Sequence, residues 1–268
     1  MTPAPQLEVR RAADRAVTRA AGLTSWHAFS TTGTYDPGNT SFGVLVALDE
    51  HRLPPGSGFA AHPHRDLEIV TWVLQGTLAH RDSGGAAGVL RPGDVQVLSA
   101  GSGVVHEERH AGGADEPLHL LQAWLVPDEL GAAPRHAQRS YAEQLRSGHL
   151  VTLVAGAGTA EDPQPCPPTA GRSTDPPATE PVPALHLRRR GCALHAQRLA
   201  PGTSSTLPVA PYVHLLVTAG AVDVVSDGCG PARLGPGDAV RATRCPPLHL
   251  AARGAAEVLV WEMHTDLR

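Results

Sequence analysis

The sequence predicts an all-β protein built as two tandem barrels, and three observations carry that expectation. Short apolar or alternating runs are separated by Gly/Pro turns, with no convincing helical period. A Pro-rich stretch past the middle divides the chain. The part that follows echoes the part before it around matching glycines. The 268 residues suit two domains of ordinary size, and a hydrophobic content of 41% supports a real core.

Each element has a local reason. SFGVLVALDEHR (41–52) reads as a buried strand. IVTWVLQGTLAHRD (69–82) alternates and is rich in β-branched residues, with Gly76 as a bend between two strands. RPGD (91–94) is a turn signal, and VQVLSA follows it as a strand. LHLLQAWLVP (118–127) is a further strand with an apolar stripe. These place a first barrel over 1–150. Residues 151–184 are expected to form a Pro-rich linker or long loop, because from residue 155 onward the chain holds almost no large apolar side chains. A second barrel then spans 185–268, with strands in VHLLVTAGAVDVV (213–225), LGPGDAVRA (234–242) and AEVLVWEM (256–263).

Composition excludes several classes. Only 18% of residues are charged and the net charge is -4, so no nucleic-acid surface is expected. Arg188, Arg189 and Arg190 read as a solvated turn or strand edge. No apolar run is long enough for a transmembrane helix, and no membrane partner is expected. The N-terminus lacks the apolar middle of a secretory signal, and Glu8 and Asp14 argue against an Arg-rich transit peptide; a cytoplasmic protein is expected. Cys166, Cys192, Cys229 and Cys245 show no CxxC spacing and read as reduced thiols. Neither a phosphate-cradling glycine loop nor a nucleophile motif is present.

The chemistry lies in two short segments, GSGFAAHPHRDLE and GSGVVHEERH. His62 and His64 are spaced i, i+2 and share one face of a strand, as do His106 and Glu108. Brought together by a sheet, the two pairs make a site of three nitrogens and one carboxylate. Such a site suits one divalent first-row metal with open positions: Fe(II), Mn, Ni, Cu, Zn or Co. Alternation points Glu107 away from His106. Aligning Gly76 with Gly220 puts Thr206 and Pro208 where His62 and His64 sit. Aligning Gly93 with Gly237 leaves His249 near the His106 position without a following carboxylate. The second barrel is therefore expected to lack the metal ligands. His80, His110 and His119 are expected at the rim or exterior, and Phe59, Trp72 and Leu98 in the core.

The pattern Gly56-x5-His62-x-His64-x3-Glu68-x7-Gly76 resembles the first cupin motif, and Gly93-Asp94 with Gly101-x-Gly103-x2-His106 resembles the second. Ile69 stands where the usual cupin carboxylate would be. Glu68 comes one residue early, which turns it to the other face of a strand; it is expected to orient a ligating histidine or to form a salt bridge. This variation, with HPHRDLEIVTWVLQGTLAHRDSGG and GVLRPGDVQVLSAGSGVVHEE, resembles the pirin family of bicupins over roughly residues 8–155. The resemblance implies two jelly-roll cupin barrels. It also implies one metal, usually iron, held by His62, His64, His106 and Glu108. Some bacterial members have quercetin 2,3-dioxygenase activity, whereas eukaryotic members are regulators that bind transcription factors. The expected function is accordingly a metal-dependent dioxygenase acting with O2 on a flavonol-type enolic aromatic, with Fe(II) as the first choice of metal. Glu108 would serve as ligand and as proton acceptor. The alternative is a non-enzymatic, iron-binding, redox-sensing regulator with a protein partner.

Overall fold

Period-two alternation between turn glycines gives a chain that is almost wholly β-structure in the computed structural model, which describes residues 5–20, 22–31, 33–159 and 182–267. The strands of the first half are β1 (Gln6–Arg10), β2 (Ala16–Ala20), β3 (Leu23–His27), β4 (Leu45–Leu53), β5 (Gly58–His64), β6 (Glu68–Gln75), β7 (Leu78–Asp82), β8 (Ala87–Leu90), β9 (Asp94–Ser99), β10 (Val104–His110), β11 (Leu118–Leu125) and β12 (Arg135–Ser140). There follow β13 (Val151–Gly156), β14 (Leu185–Leu187), β15 (Cys192–Leu199), β16 (Ser204–Thr206), β17 (Tyr212–Ala219), β18 (Val222–Ser226), β19 (Cys229–Leu234), β20 (Ala239–Thr243), β21 (His249–Ala252) and β22 (Ala256–Met263). No helix among the described residues is long and apolar enough to cross a membrane.

Each barrel is a four-stranded sheet over a seven-stranded one. The first has β5-β10-β7-β8 over β12-β9-β6-β11-β4-β3-β2. The second has β16-β21-β18-β19 over β1-β20-β17-β22-β15-β13-β14. The two lists correspond in order, except that the outer strand β14 runs parallel to β13 where β2 runs antiparallel to β3. The turn glycines correspond too. Gly76 and Gly220 both have positive φ, and a Cβ on either would strike backbone of the returning strand, at Pro117 or Ala255.

The strands at the expected domain boundaries pair differently from the sequence reading. β1, placed in the first barrel from its position in the chain, is an edge strand of the second and pairs antiparallel with β20. Leu7 and Val9 account for this, since they pack on the second barrel's interior core. β13, within the stretch read as linker, pairs antiparallel with β15, and its Leu153 and Val154 are buried. The rest of that stretch from 160 to 181, with Cys166, lies outside the described residues.

The seven-stranded sheets pack against each other through their outer faces. Val70, Trp72, Val97, Leu121 and Ala123 of the first join Leu153, Leu194, Leu216, Leu259 and Trp261 of the second in one apolar cluster. Glu68 faces this interface. It is 1% exposed, and one carboxylate oxygen accepts from Ser99 Oγ at 2.9 Å and from the Arg188 backbone N–H at 3.1 Å. The expectation that Glu68 would orient a ligating histidine is corrected here: the one-residue offset turns it out of the first barrel and onto the second. The Arg188–Arg190 run is likewise more than a solvated turn. Arg188 donates to the Ala133 carbonyl, the Arg190 N–H to Asp128, and Arg189 pairs with Asp128 at 3.3 Å.

Candidate metal centre

β5 and β10 run antiparallel, with His62 opposite His106 and His64 opposite Val104. Between His106 and Glu108 the ladder slips, because three steps of β5 from Phe59 to His62 oppose two steps of β10. This bulge bends the edge strand where its histidines must turn inward. On the other side of β10, β7 sets His80 opposite Glu108 and Asp82 opposite His106.

The four predicted residues fall in two ligand groups that share His106. Ligating atoms of His62, His64 and His106 lie within 4.8 Å of one another, and so do those of His80, His106 and Glu108. His62 Nε2 and His106 Nε2 are 3.1 Å apart, a spacing that suits two nitrogens each ~2.1 Å from one ion. His62 Nδ1 lies 2.7 Å from the Ala60 carbonyl, which can only accept; the proton is on Nδ1 and Nε2 is a bare lone pair. His64 Nε2, His106 Nδ1 and Glu108 Oε1 are buried with no hydrogen-bond partner among the described residues. Buried polar atoms are ordinarily satisfied. Unpartnered buried atoms on two imidazoles and a carboxylate, beside His62 Nε2, therefore fit a cation in this barrel. Glu108 is 1% exposed, whereas Glu107 points outward toward Arg109.

The surrounding groups hold the carboxylate charged. Burial would raise the Glu108 carboxyl, but His80 Nδ1 at 3.9 Å, the His106 ring and the Gln122 amide override it and keep its pKa below the usual range. Gln122 Nε2 donates to Glu108 Oε2 at 3.0 Å, and Trp124 Nε1 donates to Gln122 Oε1 at 3.2 Å. The Trp124 ring also meets the His64 ring edge to face at 5.0 Å. Burial, with the neighbouring imidazoles, pushes His106 down to about 4 and also lowers His64. Both imidazoles are thus neutral at pH 7, the form that ligates metals.

His80 corrects an expectation. It is not at the rim but 3% exposed, with Nε2 3.3 Å from Asp82 and its ring stacked on His136 at 4.7 Å. Burial would lower its pKa, but Glu108 and Asp82 raise it above the ordinary imidazole value. His110 is also buried, while His119 is half-buried and pairs with Glu50 at 2.7 Å. Trp72 and Leu98 are core, and Phe59 is half-buried beside His51 and His62. Sequence reasoning passed over Gln122, Trp124 and His136. The available signal was a polar residue in an apolar strand, as in LHLLQAWL.

In the second barrel the corresponding register is Thr206 opposite His249, joined by a hydrogen bond of 3.0 Å, and the interior is filled by Leu207, Leu248 and Leu250. No ligand cluster was found there among the described residues.

Comparison with known proteins agrees with this fold. The pirin family model matches residues 9–125. The chain is 41% identical over 261 residues to a Mycobacterium tuberculosis protein named "putative quercetin 2,3-dioxygenase", covering 97% of this chain and 96% of that one. It is 40% identical over 133 residues to an Escherichia coli quercetin 2,3-dioxygenase, covering 50% of this chain and 57% of that one. The bacterial pirin YhhW of Escherichia coli, solved in complex with nickel(II), superposes with a TM-score of 0.79 at 27% identity, covering 97% of this chain and all of the other. With both barrels, their shared register and near-complete alignment to such relatives, the chain belongs to the pirin family.

Proposed function

We propose that the first barrel binds one divalent metal, Fe(II) in the native protein, through His62, His64, His106 and Glu108, and acts with O2 as a dioxygenase on flavonol-type enolic aromatics. The observation that carries this reading is the two ligand groups that share His106 in one barrel, with unpartnered buried atoms on His64, His106 and Glu108. When bound, the metal supplies a Lewis-acidic, redox-active centre with open positions for a substrate oxygen and O2.

The residues of the chain supply the rest. The Ala60 carbonyl fixes the His62 tautomer and so its ligating nitrogen. Glu108 Oε1, free of hydrogen bonds, would hold the metal and, only once loosened from it, take the proton of the substrate hydroxyl, while Gln122 holds Oε2. His80, with its raised pKa, stabilises the carboxylate before that transfer. Phe59 and Trp124 offer flat apolar surface beside His62 and His64 for an aromatic substrate.

Oxygen uptake with quercetin on protein reconstituted anaerobically with Fe(II) tests the proposal. Uptake is expected to require the metal and to vanish in His62→Ala together with metal binding. Full metal stoichiometry in His62→Ala would overturn the ligand assignment. Stoichiometric metal without uptake would overturn the flavonol activity.

A further inference from the structure

A second polar cluster lies away from the metal centre, in a crevice between the barrels of about 280 Å³. At ~30 Å³ per water this is room for a small organic molecule. His214 on β17 stands directly opposite Arg241 on β20, and both belong to the face that meets the first barrel. The internal duplication shows what such a position ordinarily holds. With Gly76 matched to Gly220 and Gly93 to Gly237, the partners of His214 and Arg241 are Val70 and Val97, themselves opposite each other and buried in the interface core. A Val–Val pair in one barrel is a His–Arg pair in the other.

The polar pair is incompletely satisfied. Arg241 is 5% exposed and has no carboxylate within ion-pair distance among the described residues. Its Nη1 donates to Asn39 and its Nη2 to the Ala28 carbonyl, and the guanidinium lies 4.4 Å over the Phe29 ring. These contacts would serve a strut between the barrels. They leave Nε without a partner, and both nitrogens of His214, which is 1% exposed, also lack one. A strut needs none of those three atoms. The other arginines at the crevice are already paired: Arg11 with Asp238, Arg15 with Glu50 and Arg10 with Glu8. A buried guanidinium without a counter-charge is costly, and a fork with a free N–H beside an imidazole matches a planar carboxylate. Phe29, Leu48, Leu121 and Leu216 line one part of the remainder and match an apolar body, while Asp14, Asp36, His27, Ser30 and Thr34 line the rest.

We propose that the crevice between the barrels is a second ligand site, in which Arg241 and His214 bind the carboxylate of a small organic acid. Saturation-transfer NMR on the full chain, with benzoate as the probe and benzamide as its uncharged counterpart, tests it. Benzoate is expected to saturate with a Kd of about 1 mM or tighter, and benzamide to bind at least about tenfold more weakly. Arg241→Met should abolish the benzoate signal. If that variant fails to fold by circular dichroism, His214→Leu restores the apolar character of the Val70 position and should weaken benzoate about tenfold. His62→Ala should leave benzoate binding unchanged, which separates the crevice from the metal centre. Unsaturable benzoate, equal affinity for benzamide, wild-type affinity in a folded Arg241→Met or His214→Leu, or loss in His62→Ala would each overturn the proposal.

Discussion

Glu108 is a buried carboxylate whose two oxygens are treated differently: Gln122 fixes one, and the other is bare. That asymmetry separates two substitutions. Gln122→Leu keeps the ligand but releases its orientation, and metal affinity by chelator competition should fall roughly tenfold. Glu108→Gln keeps the shape but removes the proton-accepting charge, so Fe(II)-dependent turnover should fall more than metal affinity does. A Glu108→Gln protein with wild-type turnover would exclude the proton-acceptor role. The residues that carry these roles were unequally legible in the sequence. His62/His64 and His106/Glu108 announce themselves because i, i+2 spacing puts each pair on one face whatever the partner strand. His80 and Gln122 do not. LAHRD has two faces, and only pairing with β10 shows that Leu78, His80 and Asp82 form the inner one. Gln122 looks like an isolated polar residue until Glu108 is placed above it.

At the scale of elements, turns and registers were legible, but the ownership of edge strands was not. Alternation places β6, β7, β9 and β11 almost where they occur, and the repeated PGD turns mark the same corner in each barrel: Asp94 accepts from the Arg91 N–H and Asp238 from the Gly235 N–H. β1 and β13 carry no mark of the sheet they join, since a short strand with two or three apolar residues fits any open edge. Their assignment is decided by which core Leu7, Val9 and Leu153 can reach. The Gly76 turn yields a prediction. Its φ is 78°, and a Cβ there would lie 2.7 Å from the Pro117 carbonyl oxygen. Gly76→Ala should therefore cost at least about 1 kcal/mol, read as a lower denaturant midpoint at unchanged m. An unchanged midpoint would mean the β6–β7 corner tolerates a different backbone.

For the molecule as a whole, the interface between the barrels combines the largest apolar cluster with buried titratable groups, and the latter govern its response to pH. Burial raises the Glu68 carboxyl. A carboxyl with a raised folded pKa contributes its stability below the unfolded value and loses it as pH climbs through the folded one. Glu68→Gln, which retains the carbonyl oxygen facing Ser99 and Arg188, should therefore cost little at neutral pH. Glu68→Ala should cost about 1–3 kcal/mol because it orphans a buried N–H. The histidines act in the opposite sense. Burial pushes His106 and His136 down to about 4 and His214 down to about 3, from an ordinary 6.5. Between those limits the unfolded chain binds protons that the folded chain refuses, so unfolding free energy rises with pH. His80 and Glu68, both raised, run the other way, but they are two groups against five, since burial lowers His51 and His64 as well. Melting temperature should hence drop steadily as pH is lowered from 6.5 toward 4. Glu50 adds to the loss only at lower pH, because burial, which would raise it, is outweighed by His119 and Arg15, and its pKa sits at about 2. Metal release from His106 would steepen the same slope, so the decisive comparison uses a residue outside the metal centre. His214→Leu should flatten the acid limb of the melting curve while leaving the neutral-pH value unchanged or higher, since a leucine has no proton to bind in the unfolded chain and no orphaned nitrogen in the folded one. An identical acid limb in wild type and His214→Leu would show that the crevice histidine is not held neutral by the fold.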